Sequence, residues 1–286
     1  MGVEAFSQRI AQRLRVWWGP PRWGAYRDVL HRGLRERRAF RSRDDPNQAW
    51  RCCALWQRTL LNKWNSREFA ARHACPVPDL YWWGSDPSKA PLESLPSHFA
   101  VRPVWGSAQS GVFVVADGRE LLRHESASPS ELRERVKRPR GLRPAVPILI
   151  EEFVRSELGR DALPVEYKCH TFGDTVAAIH VIERSGFKQG KHRYYTADWE
   201  PFRDPMPVGS EQAALRAPPP YLDRMLGLAA TLGVAVGTYM RVDFLGTPGG
   251  CLFNEFSSAP YEGRYNTPYC DELFGALWAE RFPHAT

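Results

Sequence analysis

The chain has 286 residues, 43% hydrophobic and 25% charged, which supplies enough apolar material for a buried core in one or two domains. Its net charge of +7 would suit a nucleic-acid binder, but eleven arginines against five acidic residues within residues 1–45 supply nearly all of it. The remaining body is close to neutral and lacks the spread of basic residues that a nucleic-acid groove needs.

No stretch approaches the ~18 uninterrupted apolar residues of a membrane span. Met1–Ile10 carries Glu4 where a secretory leader would start basic, so a cytoplasmic location is expected. The six cysteines show no CxxC spacing and read as reduced, mostly buried thiols.

In chain order, Phe6, Ile10, Leu14 and Trp17 recur at helical spacing with arginines largely off that stripe, predicting an amphipathic basic helix over Val3–Trp18. Such a helix either packs on its own domain or offers contact to a membrane surface, an acidic carrier or a second copy in a homodimer. Gly19-Pro20-Pro21 ends it, and helical patterns follow over Ala25–Arg38 and Asn47–Ala74. Near Asp79 two prolines and an aromatic run mark entry into a strand-rich region.

Short strand-like runs then alternate with turns: HFAVRPV, GVFVVAD, VPILIEEFV, VEYKCHTFG, TVAAIHVIER, TYMRVDFLG and GCLFNEFS. Helical stretches are expected over Ser130–Arg138, Pro220–Leu232 and Asp271–Arg281, and Gly173-Asp174 reads as a hairpin turn. The pattern is α+β with mainly antiparallel sheets. It divides into a helical segment 1–75, a first α+β unit 76–150 and a second unit 151–286.

The stretch YMRVDFLGTPGGCLFNEFSSAP (239–260) carries the most chemistry. Alternate residues of a strand share a face, so Arg241 and Asp243 project together, as do Glu255 and Ser257. If GTPGG folds the two strands into a hairpin, two carboxylates and a guanidinium meet beside a hydroxyl. Magnesium takes hard oxygen ligands, often one or two carboxylates plus substrate phosphates, and Asp243 and Glu255 are of that kind. A solvated sheet face with cross-strand ion pairs would show the same pattern.

MRVD and NEFSSAP resemble the ATP-grasp superfamily, whose carboxylate ligases end in an R-x-D strand, an E-x-N strand and a Ser/Thr-x-Pro turn. Closer still is the likeness to the ATP-grasp proteins of teichuronopeptide biosynthesis, carried by LPSHFAVRPVWGSAQSG and PILIEEFV and running from about Leu60 to Trp278. That resemblance implies an ATP-grasp fold, with two α+β halves clasping ATP and Mg2+ between antiparallel sheets behind a helical N-terminal segment. It also implies a carboxylate–amine ligase that works through an acyl phosphate on small-molecule acid and amine substrates.

Residue by residue, the resemblance puts Arg102 in the place of a phosphate-binding lysine and Ser107 in the loop that closes over phosphates. Glu151, Glu152, Phe153 and Val154 take the interdomain hinge, with Phe153 or Ile150 covering the adenine face. Glu166 is placed at the ribose and Lys168 at the phosphates. Asp243 and Glu255 are the metal ligands, Arg241 meets transition-state charge, and Arg264, Tyr265 and Asn266 meet substrate. The polar stretch SGFKQGKHRYYTADWE (185–200) reads as a mobile, lid-like loop bearing Lys188, Lys191, His192 and Arg193. Ser257 stands where the family carries an asparagine ligand, and Arg102 replaces a point charge by a planar fork. A phosphotransferase acting on a hydroxyl and a non-catalytic nucleotide-binding scaffold therefore remain as alternatives.

Overall fold

The computed structural model describes residues 38–106, 109–137, 146–159, 162–202, 211–258 and 268–282. The expected basic helix over Val3–Trp18 and nearly all of that over Ala25–Arg38 lie outside these residues, as do Ser107, Arg264, Tyr265 and Asn266.

Eleven strands among the described residues form two antiparallel sheets. The first contains β1 (Leu80–Gly84), β2 (His98–Pro103), β3 (Phe113–Ala116), β4 (Arg119–Glu120), β5 (Glu125–Ser126) and β6 (Ile148–Glu152), in the order β1-β6-β2-β3-β4-β5. The second contains β7 (Glu166–Phe172), β8 (Thr175–Gly186), β9 (Gln189–Tyr195), β10 (Tyr239–Thr247) and β11 (Gly250–Ser257), in the order β11-β10-β7-β8-β9. Both expected hairpins form. Gly173-Asp174 joins β7 to β8 with Gly173 at φ 63°, and Pro248-Gly249 joins β10 to β11.

Two-residue alternation decides which face each side chain takes. Tyr167 and Cys169 of β7 and Met240, Val242 and Phe244 of β10 turn to the outer core of the second sheet. Glu166, Lys168, Arg241 and Asp243 turn the other way. Helix α4 (Leu222–Val236) covers the outer face with Met225, Ala229, Leu232 and Val236, spaced to form one stripe. Full burial of side chains of the Met or Leu class contributes about 1.5–3 kcal/mol each.

The long helical pattern at Asn47–Ala74 is broken into α1 (Asn47–Trp50), a 3-10 turn (Trp56–Leu61) and α2 (Lys63–Arg72). Asn62 ends the turn and N-caps α2, its side chain accepting from the Trp64 and Asn65 amides. Phe69 of α2 packs edge-on against Trp50 and Phe256, which seats this helix on the second sheet. Helix α3 (Pro129–Lys137) covers the first sheet through Leu132, and α5 (Pro268–Arg281) packs Phe274 and Trp278 on Phe172, Tyr194 and Tyr239.

The stretch read as a mobile loop is instead the end of β8 and the strand β9, joined through Phe187-Lys188. Its alternation escapes a hydrophobicity reading because polar residues supply most of it. Pairing with β8, and a further bridge from His192 to Gln212, hold it in the sheet.

Close packing of α4 on the β7–β8 turn gives one stability prediction. A Cβ on Gly233 would lie 2.0 Å from the Gly173 carbonyl oxygen, whereas one on Gly227 of the same helix meets nothing within 4 Å. Gly233→Ala is expected to destabilise the fold by about 1–3 kcal/mol or more through overpacking. Gly227→Ala should gain about 0.5–1 kcal/mol of helix propensity. Urea unfolding of the two variants checks the opposite signs.

Candidate active site

Between the two sheets lies a cleft of about 750 Å3. Its walls come from β2, the segment after β6, the inward rows of β7 and β10, the end of β11, and the β8–β9 hairpin. Lys63 at the start of α2 lines it too.

Asp243 and Glu255 are direct partners in the β10–β11 register, so both carboxylates stand on the cleft side of adjacent strands. Asp243 is fully buried. Its Oδ1 accepts from Arg241 Nε at 2.6 Å, while Oδ2 accepts from Arg241 Nη2 at 2.7 Å and from Lys168 Nζ at 2.9 Å. Lys168 also lies 2.8 Å from Glu166 Oε2, and Glu166 Oε1 accepts from Arg184 Nε at 2.7 Å. This is a buried charge ladder, not the solvated face that the sequence pattern also allowed.

Burial works against the Lys168 ammonium, but Asp243 and Glu166 outweigh it and raise its pKa. Burial likewise pushes the Glu166 carboxyl up, and Lys168 and Arg184 bring it well below the carboxylate range.

A second cluster holds Glu255. Its Oε2 lies 3.0 Å from Lys63 Nζ and 3.8 Å from Arg102 Nη2. Burial raises this carboxyl, and Lys63, Arg102 and Lys168 overcome the effect and bring it down to about 2. Arg102 also donates to Glu151 at 3.2 Å and to the Asn254 carbonyl at 3.1 Å, so its fork is anchored by two acceptors besides the ion pair with Glu255. The second oxygen of Glu151 accepts from Arg67 at 3.1 Å. Phe153 and Val154 are buried against the cleft beyond β6. Ile150, the alternative to Phe153 as a lid on a bound ring, turns into the core of the first sheet. Glu152 uses its backbone N–H on the Asp79 carbonyl.

Helix α2 bridges the sheets on one side. The Lys63 amide donates to the Val104 carbonyl past β2, and the Phe256 amide of β11 donates to Ser66 Oγ. On the other side the β8–β9 tip rests on the first sheet. The Phe187 amide donates to the Leu122 carbonyl at 2.6 Å, Arg123 lies 4.4 Å over the Phe187 ring, and the Lys188 amide donates to Gln109 Oε1.

Lys63, Arg67 and Arg184 are the residues that reading the sequence missed. Lys63 and Arg67 stand four apart on α2 and so share a helix face, which was the available signal for them. Arg184 could not be found by threading alternation through the Gly173-Asp174 hairpin, because a bulge between His170 and Thr171 shifts the register and opposes Glu166 to Ile182.

Among the described residues no group of three or more His, Cys, Asp or Glu side chains is arranged to hold a metal alone. Two opposed carboxylates with flanking cations do fit a magnesium ion that completes its shell with phosphate oxygens.

The TupA-like ATP-grasp family model matches residues 78–279, more than half of the chain. The chain belongs to the TupA-like ATP-grasp family. The order of elements around the cleft, with its two antiparallel sheets, is the ATP-grasp fold.

A comparison with curated protein sequences finds no match. Among solved structures, this TupA-like chain is similar to the ATP-grasp ligase PsnB complexed with a phosphomimetic variant of its minimal precursor, Mg and ADP. That likeness has 17% identity and a TM-score of 0.44, covering 78% of this chain and 59% of that one. The chain thus spans 59% of the PsnB chain. D-cycloserine synthetase DcsG matches at 16% identity and TM-score 0.49, covering 79% and 71%. The D-alanine–D-alanine ligase from Bacillus anthracis complexed with ATP matches at 15% identity and TM-score 0.48, covering 78% and 66%. No helix among the described residues is long and apolar enough to cross a membrane.

Proposed function

We propose that this TupA-like ATP-grasp chain is an ATP-dependent ligase that joins a carboxylate to an amine through an acyl phosphate, with Mg2+ as cofactor. The observation that carries the reading is the opposition of Asp243 and Glu255 across β10–β11, with Lys168 and Arg241 bound to Asp243 and, like Glu255, lining the cleft. Mg2+, held by these two carboxylates, supplies charge neutralisation at the transferred phosphate. Phe153 and Val154 wall the apolar end for the nucleotide base, and Glu166 accepts from the ribose hydroxyls.

Lys168, Lys63 and Arg102 balance the phosphate charge. Arg241 is placed to stabilise the oxyanion that develops when the amine adds to the activated carboxyl. Holding both substrates in one cleft removes much of the entropic barrier. The division into 1–75, 76–150 and 151–286 belongs to the same proposal, as do substrate roles for Arg264, Tyr265 and Asn266 and a cytoplasmic setting.

The test is trapping. Wild-type protein with Mg·ATP, hydroxylamine and a library of carboxylic acids should release ADP together with a hydroxamate. ADP release with phosphate appearing on a hydroxyl compound would replace the ligase by a phosphotransferase. Nucleotide binding with no turnover on any acid would leave a scaffold, a reading favoured only by the anchoring of Arg102 and by Ser257 in place of asparagine.

A further inference from the structure

His180 and His192 play no part in the roles assigned so far. They stand on β8 and β9 on the cleft side of the second sheet, where His180 opposes Lys168 and Tyr194 while His192 opposes Ile182. His180 Nε2 and His192 Nδ1 are 2.9 Å apart, so one ring donates to the other. His180 is buried and stacked on Tyr194 at 4.2 Å with the planes 5° apart, whereas His192 lines the cleft. Backbone bonds hold His192 from both sides, to β8 and to residues 211–213.

The charged groups around His192 are Arg184, Lys168 and Glu166. Burial and Arg184 lower its pKa to about 4, partly opposed by Glu166, and burial with His192 and Lys168 keeps His180 far below the usual imidazole value. Both rings are therefore uncharged near neutral pH. Glu151, Glu166, Asp243 and Glu255 are all ion-paired within the cleft and make poor proton acceptors. Nδ1 of His192 is taken by His180, and among the described residues its Nε2 shows no hydrogen bond to protein.

We infer that His192, its tautomer set by donation from Nδ1–H to His180, presents Nε2 to the cleft as the proton acceptor for the attacking amine. The inference rests on the ligase reading. The amine nitrogen adds to the acyl carbon of the acyl phosphate, and the resulting adduct carries an N–H proton that must leave. Nε2 takes that proton, the C–O bond to phosphate breaks, and the short-lived imidazolium passes its proton to the departing phosphate or to water. The proton transfer is downhill enough for an imidazole, because the nitrogen of the adduct is far more acidic than the free ammonium.

Two measurements decide it. Long-range proton–nitrogen NMR of the free wild-type protein should show His192 protonated at Nδ1 and bare at Nε2 between pH 6 and 8; protonation at Nε2 overturns the inference. His192→Asn keeps an amide near the Nδ1 position and removes Nε2. With hydroxylamine, a much less basic nucleophile whose adduct nitrogen is acidic enough to lose its proton to water, the variant should form hydroxamate within about twofold of wild type. With a panel of the common amino acids as acceptors, its ADP release should fall by on the order of 100-fold, the usual weight of a general base. Equal losses with both nucleophiles would show a structural role only and overturn the inference. If the wild type forms no hydroxamate from any acid, the ligase reading fails, while the NMR result still reports the tautomer by itself.

Discussion

Asp243→Asn is expected to abolish Mg2+-dependent ADP release and to cost the fold about 3–5 kcal/mol, the usual penalty for removing one partner of a buried ion pair. The cost follows from what is left behind. Arg241 and Lys168 are 7% exposed each, and both direct their donors at this carboxylate. An asparagine offers one acceptor oxygen and turns an N–H2 toward a cation. Urea unfolding measures the stability, and titration with ATP in the presence and absence of Mg2+ measures the site. A variant that keeps the Mg2+ dependence of nucleotide binding would remove Asp243 from the metal site and take the proposed function with it.

Glu151→Gln should cost a similar amount, because this buried carboxylate holds Arg67 from α2 and Arg102 from β2. Loss of the charge leaves two guanidiniums in the floor of the cleft without their shared counter-ion, and about 3–5 kcal/mol is again the expected scale. Glu93→Gln is the control. Glu93 receives two short hydrogen bonds from Arg133, at 2.7 and 2.8 Å, but its side chain is 66% exposed. Water replaces such a partner readily, so the control should unfold almost as the wild type does. Comparable losses in the two variants would mean that geometry, not burial, sets the strength of these pairs.

Much of the site can be read from the chain because the relevant signal is local. Alternation within MRVD places Arg241 and Asp243 on one face, whereas counting back from the GTPGG turn would set Asp243 against Asn254; a bulge between Asp243 and Phe244, which the sequence does not announce, brings Glu255 opposite it instead. The same logic pairs Glu166 with Lys168. Lys63 and Arg67 were out of reach in that way, since their partners Glu255 and Glu151 lie far along the chain and meet them only when α2 is wedged between the sheets. Strand β9 was misread because its buried side chains are two adjacent tyrosines, preceded by a half-buried His192 among charged neighbours, so a hydrophobic period never emerges. What holds it is the backbone ladder to β8, to which hydropathy is blind.

Among the described residues α2 on one flank and the Phe187 tip on the other close the sides of the cleft, with Arg102 reaching from β2 to the Asn254 carbonyl of β11, so the cleft is a purse with a drawstring rather than a book on its spine. Widening the opening requires undoing one of these contacts. The Phe187 tip holds by two amide hydrogen bonds, the His124 ring on the Ser185 carbonyl and a stacked guanidinium, whereas α2 is fastened by buried ions and aromatic packing. The tip is therefore expected to loosen first, and the Phe187 amide should exchange its hydrogen faster than the Phe256 amide does.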